Sequence, residues 1–370
     1  MYKEINTIDG LREIFRKKGT LRGLAFQDMD FRPFADIAAE CWYQDCIFLG
    51  GEGVNILRPR MDSRCMVFPS FKDMPFSPFT GHLYTSESLY DGYVPGEPAS
   101  YKETYDSKVY SHYLNAGKQA TGVKETLARI LHDRSMNDAM NDFLRGFDEK
   151  SVVGIMGGHG LSRNDECYRK VVLTSKALTE TGCLMVSGGG PGAMEATHLG
   201  AWLAGREMKD VDEALEMLSC APSYKDELWL ESAFRVIKRF PCPKHVSLGI
   251  PTWLYGHEPA TPFATHIAKY FDNSTREDNI ITIAKGGIIY SPGSAGTMQE
   301  IFQDAVQNHY LSFGYASPMI FLDKRFWTED MPVYRLMTHL IDKGKYNNLI
   351  LSITDSIEDI VNTINEFRNK

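Results

Sequence analysis

Three glycine-rich turns, each preceded by a short apolar run and followed by a helical pattern, constrain the fold most. The turns occupy residues 157–160, 188–192 and 291–296. The preceding apolar runs, residues 152–156, 184–187 and 287–290, have the length of buried strands. Strands that alternate with helices in this way are typical of a parallel α/β sheet, in which ligands bind outside the carboxyl ends of the strands. We therefore predict an α/β fold whose glycine turns form a ligand site.

The third turn has the composition of a phosphate site. Gly293 and Gly296 let the backbone approach an anion closely, and Thr297 adds a hydroxyl donor. The pattern predicts a helix over residues 301–310, which places both glycines and the threonine on the strand-to-helix turn. Amides without intrahelical partners converge there with the positive end of the helix dipole. A phosphate group is the ligand that this turn favours.

Glu300 follows the third turn and falls in the first turn of the predicted helix. A carboxylate beside a phosphate is unfavourable for binding alone, because like charges repel. A catalytic or sugar-binding role accounts for it better. The pairing of Glu300 with a phosphate turn therefore predicts chemistry on a nucleotide.

The other two turns extend the candidate site. Gly157 and Gly158 begin the first turn, while Gly189 and Gly190 lie in the second turn, before a proline that suits the start of a helix. A single glycine turn also serves plain chain reversal, so each is weak by itself. The three together favour a nucleotide or phosphate site. His159 is either a contact to phosphate or base, or an exposed turn residue.

Bulk properties exclude several classes of protein. The chain has 370 residues, a hydrophobic content of 43% and a net charge of −8, which argues against general affinity for nucleic acid or anionic membranes. The first residues lack the apolar core of a signal peptide, and no segment is apolar enough to span a bilayer. The seven cysteines form no Cys-x-x-Cys pair. We expect reduced thiols, no structural zinc and a cytoplasmic location.

The chain divides by pattern near residue 147. Residues 1–147 lack the strand–glycine–helix repeat and predict a smaller α+β region of unknown role. Residues 148–370 carry the α/β alternation and predict the nucleotide-binding domain. Within it, residues 206–240 form an amphipathic, two-helix stretch without a glycine turn. This stretch predicts a lid, an insertion or an oligomer contact.

Two of the glycine motifs resemble those of the Lonely Guy family, whose members are often mislabelled lysine decarboxylases. Residues 292–300 are similar to the family's Pro-Gly-Gly-x-Gly-Thr-x-x-Glu motif, with Ser294 in place of the second paired glycine. Residues 188–194 are close to its Gly-Gly-Gly-x-x-Gly-x-Met stretch, and residues 191–196 look more like its larger bacterial branch, which cleaves nucleoside monophosphates. The resemblance covers roughly residues 150–355. It implies a Rossmann-like, doubly wound, mostly parallel sheet.

The same resemblance implies an activity. That activity is hydrolysis of a nucleoside 5′-monophosphate to free base and ribose 5-phosphate, without a metal or redox cofactor, by a homodimer or higher homo-oligomer. Glu300 would be the catalytic carboxylate. Arg276 would orient the nucleotide or that carboxylate, although Glu277 stands where the family usually has a lysine. Glu195 either binds ribose hydroxyls or compensates a helix N-terminus. The expected phosphate and nucleotide contacts are Gly157, Gly158, Gly189, Gly190, Gly293, Ser294, Gly296 and Thr297.

Other functions are open or disfavoured at this point. A non-catalytic protein that carries a nucleotide or phosphorylated cofactor would use the same turns. A pyridoxal-phosphate decarboxylase needs a Schiff-base lysine, and no lysine stands convincingly beside the phosphate turns. A dinucleotide dehydrogenase is disfavoured because the first turn lacks a proper Gly-x-Gly-x-x-Gly.

Overall fold

The computed structural model describes residues 2–370, which form two compact units. The first unit comprises the chain up to Leu83 together with Val109–Phe143. The second comprises Tyr84–Lys108 and Leu144–Lys370. The sequence predicts one boundary after residue 147. The structure assigns residues 84–108, from the aromatic region that precedes this boundary, to the second unit.

The N-terminal part of the chain forms short strands and five helices. Its elements are β1 Lys3–Ile5, α1 Ile8–Arg16, β2 Thr20–Arg22, β3 Leu24–Gln27, α2 Ala35–Glu40, β4 Trp42–Gln44, β5 Ile47–Leu49, β6 Met66–Phe68, α3 Ser86–Leu89, α4 Tyr105–Asn115 and α5 Val123–Leu144. One sheet has the strand order β1-β3-β5-β6, and β2 pairs with β4. All of these pairs are parallel.

An aromatic core holds the first unit together. The rings of Phe26 and Phe48 stack with centroids 5.0 Å apart, and Phe31 meets both. Aromatic pairs of this kind add stability beyond the area that they bury. The parallel arrangement did not emerge from the sequence, because strands of three or four residues are too short for a periodic signal.

The second unit contains the alternating elements that the sequence predicts. They are β7 Val152–Met156, α6 Glu166–Glu180, β8 Leu184–Ser187, α7 Ala193–Trp202, α8 Met208–Leu218, α9 Trp229–Arg239, β9 Ser247–Gly249, β10 His266–Ile267, α10 Asn273–Ile283, β11 Ile288–Tyr290, α11 Ala295–His309, β12 Pro318–Leu322, α12 Val333–Asp342, β13 Ile350–Thr354 and α13 Ile357–Arg368. Within residues 2–370, none of the helices combines the length and apolar character that crossing a bilayer requires.

The large sheet is doubly wound. Its strand order is β10-β9-β8-β7-β11-β12-β13, with every pair parallel. The chain starts at the central β7, proceeds outward to β10, and then returns to β11 on the other side of β7. All five residues of β7 are buried, as expected for a central parallel strand. The predicted α/β, Rossmann-like fold is confirmed, and its topological switch point lies between β7 and β11.

One predicted helix start differs in the structure, and the predicted two-helix stretch is present. Helix α11 begins at Ala295, six residues before the predicted start, so Gly296 and Thr297 lie in its first turn. Serine, glycine and threonine are weak helix formers, which hid this turn in the sequence. The stretch over residues 206–240 forms α8 and α9, whose buried residues join the core of the second unit.

Close helix packing depends on Gly200 in α7. A Cβ atom at Gly200 would stand 2.3 Å from the carbonyl oxygen of Val172 on α6. We expect Gly200→Ala to lower the free energy of unfolding by about 1–3 kcal/mol, because the two helices must separate. Chemical denaturation would measure it. Gly122→Ala is the matched control, since a Cβ atom at Gly122 has no neighbour within 4 Å. Equal stability of the two variants would contradict the prediction.

Candidate functional site

A cavity of about 370 Å³ lies at the switch point of the large sheet. The turns that follow β7 and β11 line it, together with α10 and the start of α11. This is the edge at which parallel α/β sheets bind ligands. The lining residues are Gly157, Gly158, His159, Met194, Tyr255, Glu258, Arg276, Glu277, Ser294, Ala295, Gly296, Thr297, Gln299 and Glu300.

The N-terminus of α11 faces this cavity with free amides. Ser294 is the N-cap residue, and its side chain makes no capping hydrogen bond. The amide of Met298 donates to the Ser294 carbonyl oxygen at 3.0 Å, so the three amides before it have no partner within the helix. A Cβ atom at Gly293 would stand 2.2 Å from Oγ1 of Thr297. Glycine at that position therefore permits the tight turn that aims these amides at an anion.

Glu300 lies in the second turn of α11 and is 7% exposed. Within residues 2–370, no hydrogen bond contributes to the pKa of its carboxyl group, whose charged neighbours are Arg276 and Glu277. Burial raises the pKa of Glu300 to about 8, while Arg276 opposes the rise and Glu277 adds to it. Desolvation dominates because water stabilises a carboxylate far better than an apolar wall does. A buried carboxyl group with this pKa in a cavity has the properties of a proton donor.

Arg276 is held rigidly on α10. Its Nε donates to the Ile250 carbonyl oxygen at 2.8 Å, and its Nη1 donates to Oε1 of Glu277 at 2.6 Å. A Cβ atom at Gly188 would stand 2.2 Å from its Nη2. The glycine after β8 therefore makes room for the guanidinium group. The predicted pair of Arg276 and Glu300 does line one cavity, even though 24 residues separate them in the chain.

The first and third turns meet in space. The amide of Gly158 donates to the Pro292 carbonyl oxygen at 3.0 Å. A Cβ atom at Gly157 would stand 1.9 Å from Oγ of Ser291. These contacts join the turns after the adjacent strands β7 and β11. Together they form one wall of the cavity, as the sequence predicts.

The second glycine turn, unlike the first and third, does not line the cavity. Gly189 and Gly190 are buried and are not among the lining residues. Gly189 has a φ of +69°, and a Cβ atom there would stand 2.9 Å from the amide nitrogen of Ile250. Its carbonyl oxygen accepts from the amide of Thr261 at 2.8 Å. These glycines allow neighbouring chain segments to approach, and only Met194 of the turn's helix reaches the cavity.

Glu195 also lies away from the cavity. It is fully buried and accepts hydrogen bonds from Arg163 Nε at 2.9 Å, Arg163 Nη2 at 2.5 Å and the Tyr168 hydroxyl at 2.9 Å. All of these partners lie on the chain segment that follows β7. Both of its oxygens are thus committed to a buried ion pair, in contrast to the ribose contact that the sequence suggested.

The region after β9 supplies two lining residues, Tyr255 and Glu258. Glu258 lies in an irregular loop after β9, where no motif or period marks it; its Oε1 is 3.6 Å from Nδ1 of His159. Tyr255 in the same region is 44% exposed and presents a ring to the cavity. Trp253, by contrast, is fully buried and stacks on Phe271 with centroids 4.5 Å apart. The position of a loop side chain depends on tertiary packing and not on local pattern.

The side chains of the cavity do not form a metal site. Among residues 2–370, no group of three or more His, Cys, Asp or Glu side chains is arranged to hold a metal ion. The cavity offers instead backbone amides, one guanidinium group and carboxyl groups. This set of groups suits a phosphorylated organic ligand with hydroxyl or amino donors.

The chain is similar in structure to three solved proteins. A molybdenum cofactor binding protein from Rippkaea orientalis has 15% identity and a TM-score of 0.37, with 59% of this chain and 96% of that chain covered. TM1055, a structural-genomics target, has 18% identity and a TM-score of 0.38, with 58% and 99% covered. The Chlamydomonas rheinhardtii Moco carrier protein has 13% identity and a TM-score of 0.35, with 59% and 98% covered.

Identities and TM-scores this low do not transfer a ligand or an activity to this chain. No protein-family model matches the sequence. No curated protein matches it either.

Proposed function

We propose that this protein hydrolyses the N-glycosidic bond of nucleoside 5′-monophosphates, giving free base and ribose 5-phosphate. The observation that carries the proposal is the position of Glu300. Its carboxyl group is buried and lies one helical turn from amides suited to a phosphate. With a pKa of about 8, this carboxyl group is protonated at neutral pH, so it can lie beside a phosphate without charge repulsion and supply a proton to a reaction there.

The 5′-phosphate would sit at the N-terminus of α11. The amides of Ala295, Gly296 and Thr297 would donate to its oxygens, with the helix dipole adding attraction. Arg276, fixed by Ile250 and Glu277, would orient the nucleotide over Glu300. This placement would bring the glycosidic carbon near the Glu300 carboxyl group.

Glu300 would then transfer protons in two steps. Cleavage of the bond between the base nitrogen and C1′ builds positive charge on the ribose. The protonated carboxyl group gives its proton to the departing base and becomes a carboxylate that stabilises the cation. Water then attacks C1′ and returns a proton to Glu300. A pKa of about 8 keeps the donor loaded at neutral pH.

A panel of nucleoside monophosphates tests the proposal directly. Purified protein is incubated with each nucleotide, and liberated base is resolved by chromatography. Release of base with an equal amount of ribose 5-phosphate would support it and name the preferred base. Saturable binding without release would instead assign the protein to the carrier class.

Homo-oligomer formation, which light scattering would measure, stays a prediction.

The pH profile of kcat/KM provides a separate prediction. Because the acid form of Glu300 is the active one and its pKa is about 8, we expect kcat/KM to be level from about pH 7, where the substrate phosphate is a dianion, up to that pH. Above it, the rate should fall about tenfold per pH unit as the proton is lost. Initial rates in buffers of constant ionic strength would measure it. A rate that rises through pH 8 would show that Glu300 acts first as a base.

A further inference from the structure

Two buried acceptor oxygens on α10 have no donor within residues 2–370, and one of them belongs to a residue that lines the cavity. They are Oε2 of Glu277 and Oδ1 of Asn273. Glu277 is 7% exposed and lines the cavity. Buried polar atoms in folded proteins almost always have a hydrogen-bond partner, and a missing one costs stability. An acceptor pair of this kind beside a cavity indicates a ligand that supplies donors.

Two neighbouring donors, Nη1 of Arg276 and Nδ2 of Asn273, are already bonded to the other oxygen of Glu277. Oε1 of Glu277 accepts from Arg276 Nη1 at 2.6 Å and from Asn273 Nδ2 at 3.4 Å. Asn273 and Glu277 lie four residues apart on α10, so they share one face of the helix. The two remaining oxygens therefore belong to residues on one face of α10, while Arg276 Nη1 and Asn273 Nδ2 are directed to Oε1 of Glu277.

The chemistry of these oxygens selects among the parts of a nucleotide. A phosphate at neutral pH offers almost only acceptors, whereas a ribose offers hydroxyl donors on adjacent carbons. We propose that Glu277 and Asn273 bind the ribose hydroxyls, so that the site selects ribonucleotides over 2′-deoxyribonucleotides. This inference rests on the proposed function for the kind of ligand, but not on the hydrolytic step.

Sugar phosphates test the inference without base or hydrolysis. Titration calorimetry compares ribose 5-phosphate with 2-deoxyribose 5-phosphate, which lacks only one hydroxyl group. We expect the deoxy compound to bind about 10- to 100-fold more weakly, as for the loss of a hydrogen bond to a charged group. Neither compound has a base, so a contact from Glu277 to a base amino group would give equal affinities.

Two variants test which residues discriminate between the two sugar phosphates. Asn273→Ala removes Oδ1 and leaves both contacts of Arg276 in place. Glu277→Gln replaces the carboxylate with an amide. We expect either change to bring the affinity ratio of the two sugar phosphates toward one. Asp278→Asn, at the next position of α10 and exposed, is the matched control and should keep the ratio of the parent protein.

The outcomes separate this inference from the proposed activity. Equal affinities in the parent protein, or a ratio unchanged in both variants, would overturn the role of Glu277 and Asn273. Failure of ribose 5-phosphate to bind would overturn that role and the nucleotide site together. Discrimination that is lost in the variants, without base release from any nucleotide, would support the sugar contact and reject only the hydrolysis.

Discussion

Replacement of Glu300 by glutamine should lower kcat/KM about 100- to 10,000-fold, as for the loss of a general acid. Glutamine keeps the size of the side chain but has no transferable proton and forms no carboxylate. Nucleotide affinity should stay near that of the parent protein, because in the proposed mode of binding the backbone amides of α11, and not Glu300, would hold the phosphate. Base release and equilibrium binding, measured on the same preparations, would check both expectations.

The stability of this variant distinguishes lost chemistry from lost folding. Burial raises the pKa of Glu300 from 4.5 to about 8, so the folded protein retains a proton that the unfolded chain releases between these values. This group therefore lowers the stability of the fold as pH rises from about 4.5 to 8. Glutamine has no such dependence. We expect the thermal midpoint of Glu300→Gln at pH 8 to equal or exceed that of the parent protein.

A conservative control completes the Glu300 experiment. Glu366→Gln makes the same chemical change at an exposed position of α13. It should retain the activity and stability of the parent protein. If Glu300→Gln kept full activity with an unchanged midpoint, the mechanism would be wrong, since the central carboxyl group would have no part in the reaction.

Replacement of Glu195 by alanine should destabilise the second unit by about 3–5 kcal/mol. The change removes the partner of Arg163, whose side chain is 1% exposed, and leaves a buried positive charge. Arg163 would keep its contacts to Ser232, to the carbonyl oxygens of Ala221 and Trp229, and to the Trp229 ring, 4.9 Å from its guanidinium carbon. Neutral groups compensate a charge far less than a carboxylate does. Urea unfolding followed by circular dichroism would measure the loss.

Two comparison variants separate charge from packing at Glu195. Tyr168→Phe removes one hydrogen bond to the carboxylate and should cost only about 1.5–3 kcal/mol. The double variant Arg163→Met/Glu195→Leu removes both charges and should be more stable than Glu195→Ala alone. A double variant less stable than the single one would show that the ion pair stabilises the fold through more than mutual neutralisation.

The order of the helices and strands in the second unit could be predicted from the sequence. Residues 152–156 and 184–187 form strands with the predicted bounds, because continuous apolar runs bounded by glycine turns are diagnostic of buried parallel strands. The start of α11 was predicted six residues late. Its first turn contains Gly296 and Thr297, which have low helix propensity, and the surrounding turn geometry overrides that preference.

The candidate site could be predicted only in part from the sequence. The sequence placed Gly157, Gly158, Thr297 and Glu300 near one another, because turns after neighbouring parallel strands meet at the same edge. It gave the second glycine turn the same role, since a glycine needed for chain packing has the same local pattern as one that contacts a ligand. It gave no signal for Glu258, which lies in an irregular loop.

The sequence by itself determined the α/β alternation, the three turns and the spacing of Glu300 from the phosphate turn, since these follow from local backbone preference and hydrophobic period. Only the tertiary structure decided what each acidic group does. Glu195 meets Arg163 across 32 residues of chain and becomes a buried ion pair. Glu300 has no such partner and is buried at the cavity, which raises its pKa to about 8. Desolvation and ion pairing depend on groups that are distant in sequence, so local sequence patterns do not predict them.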